Sequence, residues 1–174
     1  MRTRPIAILC MLVSAATSRA WNQSENSWEK YKPRTLKSII DAHQPGLEQL
    51  DSSHGQVFVS TDSFPSQVKL VYLAKSRSLS ASKKELLGGW AKTVGEHRPV
   101  LDVFGTESLF KEGVEEHWIP VQKPLLDPLP KEVRKGQEVN VYLIFMGTIK
   151  KVGEKREWLF AINEFDTPAK TSAE

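Results

Sequence analysis

The sequence predicts an α+β fold that is mostly β: a small, strongly bent antiparallel sheet or partly closed barrel, OB-like or SH3-like, with one inserted helix and a short N-terminal helix. Two observations lead to this prediction. About five or six short segments alternate apolar and polar residues with the period of a strand, and turn residues separate them. One stretch between two of these segments has helical spacing instead.

The first 20 residues have the pattern of a cleavable secretory signal peptide. Arg2 and Arg4 precede an apolar run from Ile6 to Ala16, and small residues around Ala20 provide a cleavage site. The apolar run is well short of the roughly 20 residues that a membrane-spanning helix needs. We therefore expect cleavage before Trp21 and a periplasmic or secreted protein whose mature chain has no transmembrane span.

The expected mature chain carries no net charge and no cysteine. The full sequence has 24 Lys and Arg against 21 Asp and Glu, and three of the arginines lie in the predicted signal peptide, as does Cys10, the only cysteine. A cysteine-free mature domain excludes disulfides, thiolate metal sites and cysteine nucleophiles. Its neutrality argues against nucleic acid as a partner.

Composition divides the mature chain into three parts. Residues 21–55 are predicted to be a polar leader with a short helix, residues 56–165 a single β-rich globular domain, and residues 166–174 a flexible tail. In the leader, apolar residues at helical spacing predict a helix from Thr35 to His43 that ends at Pro45-Gly46.

The first half of the globular domain is predicted to contain two strands and a helix. Gln56–Ser60 is a short strand, and Gln67–Ala74 alternates as a longer one. The segment Ser82–Glu85 has the form of a capping box, and the helix that follows ends at Gly95. Two adjacent glycines inside this helix each cost roughly 1 kcal/mol relative to alanine, which suggests close packing on a sheet or a bend.

The second half is predicted to contain four further strands. After one helical turn at Pro99–Phe104, Glu107–Lys111 and Val114–Val121 form a hairpin. The prolines that follow are expected to hold the chain extended at a sheet edge. Glu138–Met146 is the strongest strand and is expected to be central, and Glu157–Phe165 returns after a basic turn.

His117 is the titratable residue of greatest interest. The strand period places Glu115 on its face, and a carboxylate beside an imidazole is half of a metal site or a base with its orienting group. Zinc usually takes at least three protein ligands, and no other histidine has a suitable spacing. The chain also has no Gly-x-Ser-x-Gly elbow. The sequence therefore assigns no catalytic residue, no metal and no cofactor.

The late strands carry the residues that we expect to bind a ligand. Alternation places Asn163 among apolar residues, where a polar group must be paired or exposed. If the strands are adjacent, Asn163 is predicted to line a shallow polar and aromatic pocket with His117, Trp118, Gln122 and Tyr142. The ordinary alternative is that the aromatic side chains fill the core.

These features favour a non-enzymatic binding or scaffold module of the cell envelope. Its partner would be an envelope protein or a glycan, and an exposed strand edge would permit homodimerisation. One alternative is a small hydrolase or metal-dependent enzyme assembled from distant residues such as Glu115, His117 and His97. Another is peripheral membrane association through the aromatic residues of the leader, among them Tyr31.

Overall fold

A computed structural model of the chain describes residues 28–48, 55–62, 64–96 and 99–166. The predicted signal peptide, the first residues of the leader, His97 and the tail after residue 166 lie outside the described residues. Within the described part, no helix is long and apolar enough to cross a membrane.

Seven strands form one mixed sheet in the described part of the chain. They are β1 (Lys32–Pro33), β2 (Gln56–Val59), β3 (Ser66–Ser78), β4 (Thr106–Glu112), β5 (Glu115–Val121), β6 (Glu138–Lys150) and β7 (Glu157–Asp166). Neighbouring strands follow the order β1-β3-β4-β5-β7-β6-β2, and β3 also pairs with β6. The sheet is therefore partly closed into a ring but is not a barrel. The predicted α+β, mostly β class is confirmed, while the sheet is mixed and not purely antiparallel.

The ring is closed on one side and open on the other. On the closed side β3 and β6 pair from Ser66 opposite Leu143 to Val71 opposite Glu138, and β6 pairs with β7 along most of its length. On the open side β5 and β7 run parallel and share a single registered pair, Val121 with Ile162. We call the gap between β5 and β7 the seam.

Four α-helices accompany the sheet in the described residues. They are α1 (Leu36–Glu48), α2 (Ala81–Thr93), α3 (Val100–Val103) and α4 (Leu129–Glu132), with single 3₁₀ turns at Trp28–Lys30 and Lys123–Leu125. The inserted helix α2 and the short N-terminal helix α1 agree with the prediction. The prediction of an extended segment before β6 was wrong, because two proline-containing helical turns lie there. Proline is favourable at the start of a helical turn, where an amide hydrogen would have no partner inside the turn.

Two apolar clusters hold the fold together. The larger lies inside the ring and includes one face of β6, with Val139, Val141, Leu143 and Phe145, and it is covered by α1. The smaller lies outside the ring, where α2 and α3 pack on the opposite face of β6 and β7, for example through Met146. The strand alternation predicted for β6 is confirmed, because its two faces lie in the two clusters.

Helix α1 is tied to the sheet at its first turn. Both carboxylate oxygens of Glu112, at the end of β4, accept hydrogen bonds from the amides of Leu36 (2.7 Å) and Lys37 (2.9 Å), which have no partner inside the helix. The predicted end at Pro45-Gly46 was wrong, since α1 continues to Glu48. Leu47 is buried and holds the last turn in place. Pro45 lies on the exposed face of the helix, so the amide hydrogen that it lacks is lost where water is available.

The N-cap of helix α2 lies two residues before the serine of the predicted capping box. The side chain of Ser80 accepts from the amide of Lys83 (3.3 Å), whereas Ser82 is buried inside the first turn. The two glycines of the helix, Gly88 and Gly89, have open space where a Cβ would lie. The expected close packing at these glycines was therefore wrong. The start of α2 instead brings Lys83 onto the sheet beside the seam.

Candidate functional site

A cleft of about 270 Å³ opens at the seam. One wall is residues 116–119 of β5, and the other is Arg156 together with Glu157, Trp158 and Phe160 of β7. Its floor comes from the end of β3 and the start of α2, with Arg77, Ser80 and Lys83. The cleft exists because β5 and β7 pair only at Val121 and Ile162 and diverge from there. We call it the seam cleft.

The backbone edge of β5 along the seam is closed to further strand pairing. The Gln122 amide donates to the Ile162 carbonyl across the seam (3.1 Å), and every second residue presents its backbone to the same edge. Pro120 and Trp118 therefore face the seam as well. Pro120 has no amide hydrogen, and the Trp118 carbonyl accepts from Lys83 Nζ (2.6 Å). On the β5 wall, the cleft therefore offers a ligand mainly side chains.

An ion cluster around a buried carboxylate forms the floor. Glu107 of β4 is fully buried, its Oε1 accepts from Arg77 Nε (2.6 Å), and its Oε2 accepts from Lys83 Nζ (2.5 Å). The Arg77 guanidinium also lies 4.1 Å from the centre of the Trp118 ring. Two cations and one carboxylate leave this floor with one positive charge. The cluster fixes both the ring and the backbone of Trp118.

His117 lies on the β5 wall of the cleft. Its Nε2 is 3.9 Å from Glu115 Oε2, so the predicted pair forms but is too long for a hydrogen bond. Burial lowers the pKa of His117, and nearby Lys83 lowers it further, while Glu112 and Glu115 raise it. The imidazole is therefore neutral at pH 7. No group of three or more His, Cys, Asp or Glu among the described residues is arranged to hold a metal ion.

Buried nitrogen atoms without a hydrogen-bond partner concentrate at the seam. Across the described residues they are His117 Nε2, Arg156 Nη1 and Trp90 Nε1, and the first two belong to residues that line the seam cleft. Most buried polar groups in folded proteins are paired, so unpaired ones call for an explanation such as a ligand contact. The divergence of β5 and β7 and the nitrogens without a hydrogen-bond partner on His117 and Arg156 therefore identify the same cleft.

A second cavity of about 480 Å³ adjoins the seam cleft. Arg156 and Trp158 line both. The second cavity continues from them along the C-terminal end of α1, past Gln44 and Glu48. It also passes Lys150 at the end of β6 and Lys155 of the basic turn that follows. We call it the side cavity. The two together form one groove with Trp158 in its middle.

The five residues predicted to line one pocket are divided between several places. His117 and Trp118 line the seam cleft. Gln122 and Asn163 line a separate cavity of about 70 Å³ beneath α2 and α3. Tyr142 packs edge to face on Tyr31 with the ring centres 5.5 Å apart, and Tyr31 Oη accepts from Asn163 Nδ2 (3.4 Å). The sequence therefore identified two residues of the β5 wall of the seam cleft, whereas Gln122, Asn163 and Tyr142 lie outside that cleft.

Sequence reasoning missed the floor and the opposite wall. Glu107, Lys83 and Arg77 come from three elements, and Arg156 was assigned to a basic turn. One signal was present: alternation places Glu107 on the face of buried Leu109, where a carboxylate needs partners. The partners themselves lie on other elements and have no local pattern.

No protein-family model matches the chain, and no curated protein and no solved structure was found to match it. The function is therefore inferred from the geometry of the groove.

Proposed function

We propose that this protein is an exported, non-enzymatic binding module of the cell envelope and that the seam cleft is its ligand site. The observation that carries the proposal is the coincidence of three features at one place. The ring of strands opens there, the aromatic side chains of Trp118, Trp158 and Phe160 line the gap, and two buried nitrogens without a hydrogen-bond partner border it. Partly apolar clefts with a few polar groups are the usual form of ligand sites.

The chemistry of the cleft supports binding over hydrolysis. Ser80 lines the cleft, but its Oγ accepts from the Lys83 amide as a helix cap. Within the described residues no hydrogen bond joins Ser80 to His117, as a serine nucleophile and its base would require. The floor, which two ion pairs to Glu107 hold in place, instead resembles a preformed recognition surface, and preformed surfaces lower the entropic cost of binding.

Binding is tested by cosedimentation with protein-free cell-wall glycan, using the mature chain from Trp21. Trp118→Ala removes an aromatic side chain of the seam cleft, and Trp90→Ala is a matched control because Trp90 is also half-buried but lines the separate cavity. We expect Trp118→Ala to weaken binding by about tenfold or more and Trp90→Ala to leave it within about twofold. Equal binding by the two variants, both folded by circular dichroism, would overturn the proposal.

Export has a separate test. The intact mass of the protein recovered from the envelope and medium fractions should correspond to a chain that begins at Trp21. Recovery of the full-length mass from the cytosolic fraction alone would contradict this part of the proposal and leave the cleft unaffected.

A further inference from the structure

We infer that the groove binds an acidic glycan, a carboxylate-bearing oligosaccharide whose carboxylate is held by Arg156 while a sugar ring lies against Trp158. This inference rests on the proposed function, because it names the ligand class of the same cleft. Four observations carry it: a cation without a counter-charge, an aromatic side chain shared by two cavities, a closed backbone edge, and acidic residues along the rim.

Arg156 is a cation without a counter-charge. Its Nη2 donates to the neutral Gln56 Oε1 (2.5 Å), its Nη1 is buried without a partner, and no carboxylate among the described residues forms an ion pair with it. An arginine that is partly buried and unpaired is unfavourable, because desolvation of its charge is not repaid by an anion. A carboxylate of a ligand in the groove that Arg156 lines supplies that anion, because carboxylates are common partners of guanidinium groups.

Trp158 joins the two parts of the groove. Its half-buried ring packs on Phe145, with the ring centres 5.8 Å apart, and the residue lines both the seam cleft and the side cavity. An indole held in this way presents an apolar surface beside polar groups, which suits the mixed apolar and polar faces of a sugar ring. The two cavities together leave room for more than one sugar unit.

The closed edge of β5 disfavours an extended peptide. A peptide that added a strand at the seam would need backbone donors and acceptors. Pro120 provides no donor there, and Lys83 already occupies the Trp118 carbonyl. On the β5 wall, recognition by ring faces and a cation is therefore favoured over a backbone ladder.

Acidic residues on the rim restrict the density of negative charge on the ligand. Glu116 and Glu157 line the seam cleft, and Glu48 and Glu154 line the side cavity. A polyanion with one charge on every closely spaced unit, such as a nucleic acid, would be repelled by these carboxylates. Carboxylates set one sugar apart, with neutral hydroxyl groups between them, carry a lower charge density and suit a groove that lysine and arginine side chains line together with these glutamates.

The inference is tested by calorimetric titration of the mature chain with a tetramer of galacturonic acid and with its fully methyl-esterified form. We expect the acidic tetramer to bind at least about tenfold more tightly than the neutral ester. Arg156→Gln should remove most of this difference. Lys151→Gln is the matched control, because Lys151 is exposed in the same turn and lines neither cavity, and it should change binding by less than about twofold.

Three results would overturn the acidic-glycan assignment: equal affinity for the acid and its ester, an Arg156→Gln affinity equal to that of Lys151→Gln, or no binding of the acidic tetramer at millimolar concentration. Tighter binding of a tetrapeptide with a free C-terminal carboxylate would replace the glycan by a peptide. These failures are distinguishable from failure of the proposed function. The latter is decided by Trp118→Ala against Trp90→Ala on cell-wall glycan, whatever the charge of the ligand.

Discussion

The closed side of the ring and the seam satisfy the backbone hydrogen-bonding groups of their strands in different ways. On the closed side β3, β6 and β7 satisfy one another's backbone groups through long ladders, with two register shifts between β6 and β7. At the seam, β5 and β7 share one registered pair, and a lysine side chain and a proline take the place of ladder bonds. The difference shows that side chains can hinder the pairing of a sheet edge with another strand while the space beside that edge remains open as a cleft.

The largest expected change in stability comes from a substitution that tests how closely β2 packs against β6 on the closed side. Gly147 of β6 has φ of +146°, and a Cβ there would collide with the backbone carbonyl of Phe58 in β2. Gly147→Ala should therefore lower the free energy of unfolding by about 3 kcal/mol or more, measured by urea denaturation. Gly88→Ala makes the same change where there is space and is the control. A loss below about 1 kcal/mol at Gly147 would mean that β2 is not held against β6.

The next effect tests whether a side chain supports the seam. Lys83→Met leaves buried Glu107 with Arg77 as its remaining cation and frees the Trp118 carbonyl, so we expect a loss of about 3 kcal/mol in the same assay. Lys69→Met is the matched change on the closed side, where Lys69 and Glu138 form an exposed pair at 3.8 Å. It should cost less than about 1 kcal/mol. Similar losses for the two variants would remove the contrast between the two sides.

A smaller effect of opposite sign is expected in the helix that positions Lys83. Gly88→Ala in α2 should raise the free energy of unfolding by about 0.5–1 kcal/mol, because alanine restricts the unfolded chain and meets no neighbour in the folded one. The thermal midpoint measures this gain. A decrease would show that the helix needs glycine for a reason other than space, and the seam cleft should be unchanged in either case.

The smallest effect is a pH dependence that arises at the seam. Burial holds the pKa of His117 below its ordinary value of about 6.5, so the unfolded chain binds this proton more readily than the folded one. The resulting stability is complete above pH 6.5 and is lost as pH falls through the folded-state pKa. Urea unfolding at pH 7.5 and pH 5 should show a larger loss for the wild type than for His117→Gln. Equal losses would place the pH dependence elsewhere.

The sequence predicted what depends on local periodicity. Alternation along β6 and β7 correctly separated the residues inside the ring, such as Phe145 and Phe160, from those beneath α2, such as Met146 and Leu159. The hairpin of β4 and β5 was also predicted, because glycine at position 113 permits its turn. In both cases the information lies in residues a few positions apart.

The seam could not be predicted because its parts are distant in the chain. Its walls depend on a parallel contact between Val121 and Ile162, and its floor on Lys83 of α2 reaching Glu107 of β4. Neither contact leaves a pattern within one segment. The capping serine was misplaced for a related reason, since Ser80 and Ser82 are equally good caps by composition and packing on the sheet selects Ser80.

The closure of the ring also has a consequence for the speed of folding. Its hairpins can form from neighbouring segments, but β3 must find β6 across more than half of the globular domain before the ring exists. Contacts of such long sequence separation slow folding, because the entropy of closing the loop is lost before the contacts form. Until β3 and β6 meet, their edges are unpaired, and a newly made chain in that state is open to association with other unfolded chains.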